Sequence, residues 1–212
     1  MLKLYSYFRS SASYRVRIAL NIKGIAYETM TIDLKRSLHR KDEYKTINPQ
    51  GLVPTLVDDN LILTQSFVIL DYIEQKHPTP PLLPTSMPLR WKAKELAQFI
   101  ACEIHPLNNL RTLHYLYDDL KVSEDQKNQW YFHWLREGFD LLEKELCTYS
   151  TLYALDDYPT WIDLYLIPQM YNARRFNFDL SRYPRLCSIE KQCLTLDSFQ
   201  RAAPNTQSDF DG

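Results

Sequence analysis

The first stretch of the chain, LKLYSYF from Leu2 to Phe8, is apolar at most positions and predicts a short buried strand. At Arg9-Ser10-Ser11 the run breaks and the period changes. Tyr14, Ile18 and Ile22 recur at spacings of four, with Arg15 and Arg17 turned to other faces, which predicts a helix from about Ser11 to Lys23. Gly24 suits the left-handed position just past its end. AYETMTID alternates as a strand does, and LHRKDEYKTI predicts a short polar helix stopped by Pro49. VPTLVDD and LILT are two short strand runs around Asp58-Asp59-Asn60, a hairpin signal. SFVILDYIEQKH then carries Phe67, Leu70, Ile73 and Glu74 in helical register. Residues 1–77 therefore order as βαβ, then α, then ββα.

HPTPPLLPTSMP, residues 77–88, holds five prolines in twelve residues and can be neither a helix interior nor a central strand. It predicts a domain boundary, with a linker over 78–87. Beyond it the pattern is helical almost throughout. Residues 88–118 and 124–147 predict two long amphipathic helices. Thr160-Trp161-Ile162-Asp163 resembles a capping box, with Asp in place of Glu or Gln, and should open another helix. A further helix should start near Tyr183-Pro184 and run to about Arg201, leaving APNTQSDFDG as a tail. The expected organisation is an α/β domain over 1–77 and an all-helical domain over 88–212.

Composition narrows the function classes. A net charge of −1 gives no basic field for nucleic acid and no polybasic membrane anchor. No apolar run approaches the roughly 20 residues needed to span a bilayer, and the chain enters a strand without a signal peptide, so a cytoplasmic protein is expected. The four cysteines, Cys102, Cys147, Cys187 and Cys193, form no CxxC and have no metal-ligand spacing with the five histidines. They are expected to be free and buried, and no metal is expected. With four glycines and no GxGxxG, nucleotide binding finds no support either.

Three places could carry chemistry. Ser10 and Ser11 sit where a strand passes into a helix, where unpaired backbone N–H groups and the positive end of the helix dipole favour an anion such as a thiolate. The same residues also suit a plain N-cap. Val53-Pro54 opens a strand. A cis Pro54 would expose the backbone of Val53 at an edge, where it could pair with a bound peptide, whereas a trans proline at a strand start is the commoner arrangement. Gln65-Ser66 lies at a strand-to-helix turn, where Ser66 could bind a carboxylate or merely cap the helix.

Taken together, the βαβαββα order, SSxSxRVRIAL near its start, NPxxxVPTL in its middle and QSxxIxxYIE at its end, followed by a proline-rich linker and helices, resemble a glutathione transferase. HPLNNLRTL at 105–113, LIPQMYNARRFNFDLSRYP at 166–184 and FQRAAPNTQSD at 199–209 resemble the zeta class in particular, which contains maleylacetoacetate and maleylpyruvate isomerases. The resemblance covers essentially the whole chain. It implies a thioredoxin-like N-terminal domain, a helical second domain, a site in the cleft between them, glutathione as cofactor and a homodimer.

Carried over residue by residue, the resemblance makes Ser10 the catalytic serine that donates to the glutathione thiolate, with Ser11 beside it. It puts His39 at the glycyl carboxylate, Val53 and cis Pro54 at the cysteinyl unit, and Gln65 and Ser66 at the γ-glutamyl end. Asn108 and Asn109 would face the site from the first long helix. Arg9, Arg111 and Arg175 would bind a small substrate with a carboxylate at each end, since a guanidinium grips carboxylate in a bidentate way. Of the adjacent Arg174 and Arg175, the resemblance favours Arg175. The class pattern SSCS is here Ser-Ser-Ala-Ser, with Ala12 in place of the cysteine, which puts thiol–disulfide activity in doubt but not isomerisation. The implied reaction is cis–trans isomerisation of a maleyl-type enedione acid, in which a thiolate adds, the bond rotates and the thiolate leaves. Maleylacetoacetate is the expected substrate. Maleylpyruvate, glutathione conjugation of electrophiles and non-catalytic ligand binding are the alternatives. Leu61, Leu63, Phe67 and Trp91 exceed what one small core needs, in line with a dimer.

Overall fold

β1 (Lys3–Ser6) ends in a turn in which the Ser10 N–H donates to the Tyr7 carbonyl at 3.0 Å, and α1 (Ser11–Ile22) follows directly. The end of α1 is a Schellman arrangement. Gly24 has φ +65°, its N–H donates to the Asn21 carbonyl, and the Ile25 N–H donates to the Leu20 carbonyl. Then come β2 (Glu28–Thr31), a 3-10 turn at Leu38–Arg40, a one-turn α2 (Asp42–Lys45), the hairpin β3 (Thr55–Asp58) and β4 (Leu61–Thr64), and α3 (Ser66–Lys76). The polar helix expected over 38–47 is thus two pieces, parted at Lys41, whose backbone is extended. So short a polar segment gains little from continuing as one helix.

This computed structural model describes residues 1–211. Its sheet has the order β2-β1-β3-β4, with β2 parallel to β1 and both hairpin strands antiparallel to their neighbours. Leu4 and Leu56 from the sheet pack with Val16, Leu20, Ile69 and Ile73 from α1 and α3 as a buried core. The register matters for the site. Tyr5 is opposite Thr55, and Thr55 is opposite Thr64. The end of β1, the start of β3 and the end of β4 therefore share one end of the sheet.

A second compact unit spans Leu83–Cys193. α4 (Met87–Phe99) does not run on to residue 118 as the periodicity predicts. A π turn at Ile100–Ile104, a 3-10 turn at Pro106–Asn108, α5 (Leu110–His114) and a second π turn at Tyr115–Asp119 replace the single helix. Pro106 has no N–H to continue the ladder, and Asn109 turns extended and caps α5 through its side chain, which accepts from the Thr112 N–H at 3.1 Å. α6 (Glu124–Leu146) carries a Ser123–Gln126 capping box. α7 (Trp161–Arg175) opens with the Thr160–Asp163 box seen in the sequence, and its residues from Trp161 to Met170 are all buried. α6 bears Gly138 where a Cβ would lie 2.2 Å from Ile104 Cδ1, so any side chain there would force the buried Ile104 to move. α8 (Pro184–Cys193) completes the unit.

The chain after Cys193 departs from expectation. The helix predicted to reach Arg201 breaks over Leu194–Leu196, and α9 (Asp197–Ala202) belongs with Met1–Leu82 rather than with the helical unit. The first division falls between Leu82 and Leu83, inside the expected linker. Residues 203–211 are not a loose tail: Asp209 accepts from the Phe8 N–H at 3.0 Å, and the Phe210 ring meets Phe8 edge-on at 5.5 Å. Arg17, 0% exposed, explains the attachment. Its guanidinium donates to the Ala202 carbonyl and to the Tyr7 and Phe8 carbonyls, tying α9 to the turn before α1. The cysteines are unbridged, but only Cys193 is buried. Cys102, in the π turn, and Cys147, just past the end of α6, are exposed, against expectation. Among the described residues no helix is long and apolar enough to cross a membrane, and no group of His, Cys, Asp or Glu is placed to hold a metal ion.

Candidate active site

The register of the sheet brings Ser10, Ser11, Val53, Pro54, Gln65 and Ser66 to one end of the first unit. Ser10 is the N-cap of α1, and its Oγ accepts from the Ser13 N–H at 3.2 Å. A hydroxyl has two lone pairs and one hydrogen, so accepting from Ser13 leaves the hydrogen of Ser10 able to donate to an anion. Ser10 is partly exposed, whereas Ser11 is buried as the first residue of α1. A ligand arriving from solvent therefore meets Ser10 first.

The Val53–Pro54 peptide is cis, and Pro54 is buried. The loop before it is tightly held. Asn48 Nδ2 and the Tyr44 hydroxyl both donate to the Leu52 carbonyl, at 2.7 and 2.6 Å. Gly51 has φ +59°, and a Cβ there would lie 2.8 Å from the His39 carbonyl oxygen. That close approach demands glycine and brings the His39 turn against the Val53 loop.

Gln65 sits at φ +67° and ψ 119°, a conformation that strains a residue with a side chain by about 1–3 kcal/mol. Its Nε2 donates to Gln50 Oε1 at 2.7 Å. No side chain caps α3, so its first N–H groups point toward the same end of the sheet without a capping oxygen. Ser66 is buried at the start of α3, and its Oγ accepts from Arg15 Nη1 at 3.2 Å. Arg15 is 2% exposed and is a support the periodicity did not reveal, since an arginine on an amphipathic helix ordinarily faces water.

Tyr7 is a second group the sequence did not single out. It is buried, and its hydroxyl has no hydrogen-bond partner. Burial pushes its phenol up to about 12 against the pull of Arg9, so it stays protonated near neutral pH. Arg9, on the same turn, lies over the Phe8 ring and 3.7 Å from Asp211 Oδ1.

In the second unit, Asn108 closes the 3-10 turn rather than lying in a long helix. It is buried, its Nδ2 donates to the Tyr131 carbonyl at 3.1 Å, and its Oδ1 has no partner. Asn109 is occupied as the cap of α5. Arg111 is exposed on α5. Arg175, the last residue of α7, lies over Phe176, which stacks on Tyr131 at 4.0 Å. Asn108 and Arg175 are thus linked through Tyr131 and Phe176. Burial pushes the Tyr131 phenol up while Arg175 draws it down. Arg174 is engaged elsewhere, its Nε donating to both Glu190 carboxylate oxygens at 3.0 Å. Arg174 and Arg175, adjacent in sequence, thus have different surroundings: Glu190 for the one and the Phe176 ring for the other.

Residues 1–75 match the family model described as "Glutathione S-transferase, N-terminal domain". The chain is 44% identical over 208 residues to a protein of Vibrio cholerae serotype O1 named "Probable maleylacetoacetate isomerase", covering 97% of each chain. Among solved structures it superposes with a TM-score of 0.96 and 42% identity on the holo structure of maleyl pyruvate isomerase, described as a bacterial glutathione-s-transferase in zeta class, covering 99% of this chain and 100% of that one. It superposes with a TM-score of 0.95 and 36% identity on maleylacetoacetate isomerase from Methylobacterium extorquens AM1 with bound malonate and GSH, covering 99% and 100%. With a thioredoxin-like unit, a helical unit and relatives of this identity along its whole length, the chain belongs to the zeta-class glutathione transferases, the family of the maleylacetoacetate and maleylpyruvate isomerases.

Proposed function

We propose that the protein is a glutathione-dependent cis–trans isomerase of a maleyl-type enedione acid, with maleylacetoacetate as substrate, acting in aromatic amino-acid breakdown. The observation that carries the reading is Ser10. It caps α1 with its lone pair and keeps its hydrogen, at the sheet end shared with cis Pro54 and the uncapped start of α3. These residues fit glutathione. The α3 N–H groups and the strained Gln65 suit the γ-glutamyl end, the Val53 backbone suits a peptide unit, and the His39 turn adjoins it. Relatives with bound malonate and GSH, with GSH in the active site, and with dicarboxyethyl glutathione and citrate in the active site support the same assignment.

When bound, glutathione supplies a nucleophilic sulfur whose reversible addition makes the double bond rotatable. The chain's part is electrostatic. A free thiol titrates near about 8.5, and the start of α1 with the Ser10 hydroxyl favours the thiolate. Arg9, Arg111 and Arg175 are the groups proposed to hold the two carboxylates, and charged donors near a developing negative oxygen lower the barrier.

The test compares turnover of maleylacetoacetate and maleylpyruvate with glutathione at catalytic amounts. The expected result is isomerisation with glutathione undepleted and a higher rate on maleylacetoacetate. Ser10→Ala should lower kcat by about 10²-fold or more while glutathione still binds, and Ser11→Ala should do much less. Stoichiometric consumption of glutathione would make the enzyme a conjugating transferase. A higher rate on maleylpyruvate would move it to that branch; the two acids differ by one methylene, worth only about 1–3 kcal/mol in a pocket. We also propose a homodimer, since Leu61, Ile62 and Val68 in the first unit and Met87 and Trp91 in the second are exposed apolar residues. Unbridged, exposed Cys102 and Cys147 support a reducing compartment such as the cytoplasm.

A further inference from the structure

The turn from Tyr7 to Ser10 must hold one hydroxyl in place, yet its internal hydrogen bonding is slight: the Ser10 N–H donates to the Tyr7 carbonyl. Its other anchors come from outside. Arg17 donates to the carbonyls of Tyr7 and Phe8 at 3.3 and 3.0 Å. α1 holds Ser10 through the Ser13 and Tyr14 N–H groups, and the C-terminal segment meets Phe8 and Arg9. Asp209 Oδ2 accepts from the Phe8 N–H at 3.0 Å, Phe210 packs edge-on against the Phe8 ring, and Asp211 meets Arg9 at 3.7 Å and Lys35 at 2.5 Å. Phe8 is thus fixed at its N–H, its carbonyl and its ring, two residues before Ser10.

We propose that Asp209 is a positioning residue for Ser10, and that residues 209–211 brace the turn that carries it. The proposal rests on Ser10 being the group that favours the thiolate. Three observations favour a positioning role over a folding one. Arg17, fully buried, already ties the turn to α1 and α9 without Asp209. Asp209 itself is only partly buried and lies at the wall of a cavity of about 220 Å³, with Tyr7, Asp33, Lys35, Arg36 and Asp211. And its acceptor reaches a backbone N–H of the turn, so it sets where the backbone lies. A carboxylate is a stronger acceptor than a neutral oxygen. Placement matters at this level because small displacements of a reacting group cost rate steeply.

The experiment uses the full chain and the variants Asp209→Ala and Asp209→Asn. Glutathione affinity is measured by calorimetry. The pKa of the bound glutathione thiol is read from ultraviolet thiolate absorbance against pH, and kcat is measured on the better maleyl acid. Asp209→Ala should bind glutathione within about threefold of wild type, because the groups proposed to hold it lie elsewhere. Its bound thiol pKa should rise by about one unit, and kcat should fall about tenfold at pH 7. Asp209→Asn keeps an oxygen for the Phe8 N–H and should recover most of both. An unchanged thiol pKa in Asp209→Ala overturns the proposal, as does an Asp209→Asn protein as impaired as Asp209→Ala. Failure of Asp209→Ala to fold overturns it too, by making the segment a folding element. The absorbance titration needs no turnover. A wild-type protein that lowers the thiol pKa but isomerises neither acid therefore refutes the proposed function, while the expected shift in Asp209→Ala still supports the positioning role.

Discussion

Replacing Arg17 by Met should destabilise the protein severely, and the size of the loss follows from the structure. Arg17 is fully buried in α1. Its Nε donates to the Ala202 carbonyl at 2.9 Å, Nη1 to Ser6 Oγ at 3.1 Å and the Tyr7 carbonyl at 3.3 Å, and Nη2 to the Phe8 carbonyl at 3.0 Å. Methionine matches the apolar stem and removes every one of these bonds. A hydrogen bond from a charged group contributes about 1.5–3 kcal/mol, and an acceptor left unpaired in the interior costs about 1–3 kcal/mol. Opposing this, the variant no longer buries a cation, which relieves several kcal/mol of desolvation. The net loss should be about 3–5 kcal/mol, a large share of the roughly 5–15 kcal/mol that holds a typical domain folded. Arg17→Lys keeps a charge and some donors but not the planar fork, and should lose about half as much. Urea unfolding should be followed by far-ultraviolet circular dichroism, because every tryptophan (Trp91, Trp130, Trp134 and Trp161) lies in the second unit. A loss below about 1 kcal/mol in Arg17→Met would refute the reasoning, since it would mean that the buried fork contributes no more than a surface contact.

Arg111→Ala and Arg175→Ala should each raise KM for the maleyl acid by about 10- to 100-fold, the worth of a charged contact, with glutathione affinity little changed. Arg174→Ala should leave KM alone, because Arg174 is engaged with Glu190; an equal effect in all three variants would count against a substrate role. Burial raises the Asp163 carboxyl to about 6 from the ordinary 3.8, despite donation from the Thr160 and Ala154 N–H groups. The folded state then holds more protons than the unfolded one between about pH 4 and 6, so this group's contribution is full below that window and is lost as pH rises through it. The loss should approach about 3 kcal/mol and be missing from Asp163→Asn, which the difference in urea midpoints between pH 4 and 6.5 would show. Light scattering at micromolar concentration should give twice the 25.2 kDa chain mass, and a fully active monomer would remove the dimer.

Local signals carried most of the fold. The change of period at Arg9-Ser10, Gly24 past the end of α1, the Asp59-Asn60 turn and the Thr160–Asp163 box each act through contacts within a few residues, and each stands where the sequence puts it. Misplaced features depend on what covers a face. A helical period says that Arg15 and Arg17 avoid the apolar stripe of α1. It cannot say that α9 arrives from nearly two hundred residues away to bury Arg17. For the same reason the last segment was expected to be loose and is instead fixed to the Phe8 turn. The helix predicted over 88–118 ignores Pro106, a local breaker, and the structure turns there. At the candidate site, the motif residues of the first unit converge through strand register, a property the hairpin already fixes. Tyr7 and Arg15 were invisible because their roles come from burial rather than from spacing.

The sequence offers two accounts of Ser10, a helix cap or an anion site; the structure shows the cap, and under the proposed function the two are compatible. A cap uses an oxygen lone pair. Anion stabilisation uses the hydrogen of the same hydroxyl and the N–H groups around it. Accepting from the Ser13 N–H uses a lone pair of Ser10 Oγ and leaves its hydrogen available to donate. The same logic separates Ser10 from Ser11, which begins the helix proper and is buried. It also separates the start of α1 from the start of α3. α1 is capped by the chain itself and lacks only a partner for one hydroxyl hydrogen. α3 has no side-chain cap and holds Gln65 in a strained conformation in front of it. An uncapped helix start preceded by a strained polar residue is a weak choice for stability alone, and a bound carboxylate restores what the cap would have supplied. Replacing Gln65 by Gly should therefore relieve strain and stabilise the free protein while weakening glutathione binding, a pair of opposite signs that a purely structural turn would not give.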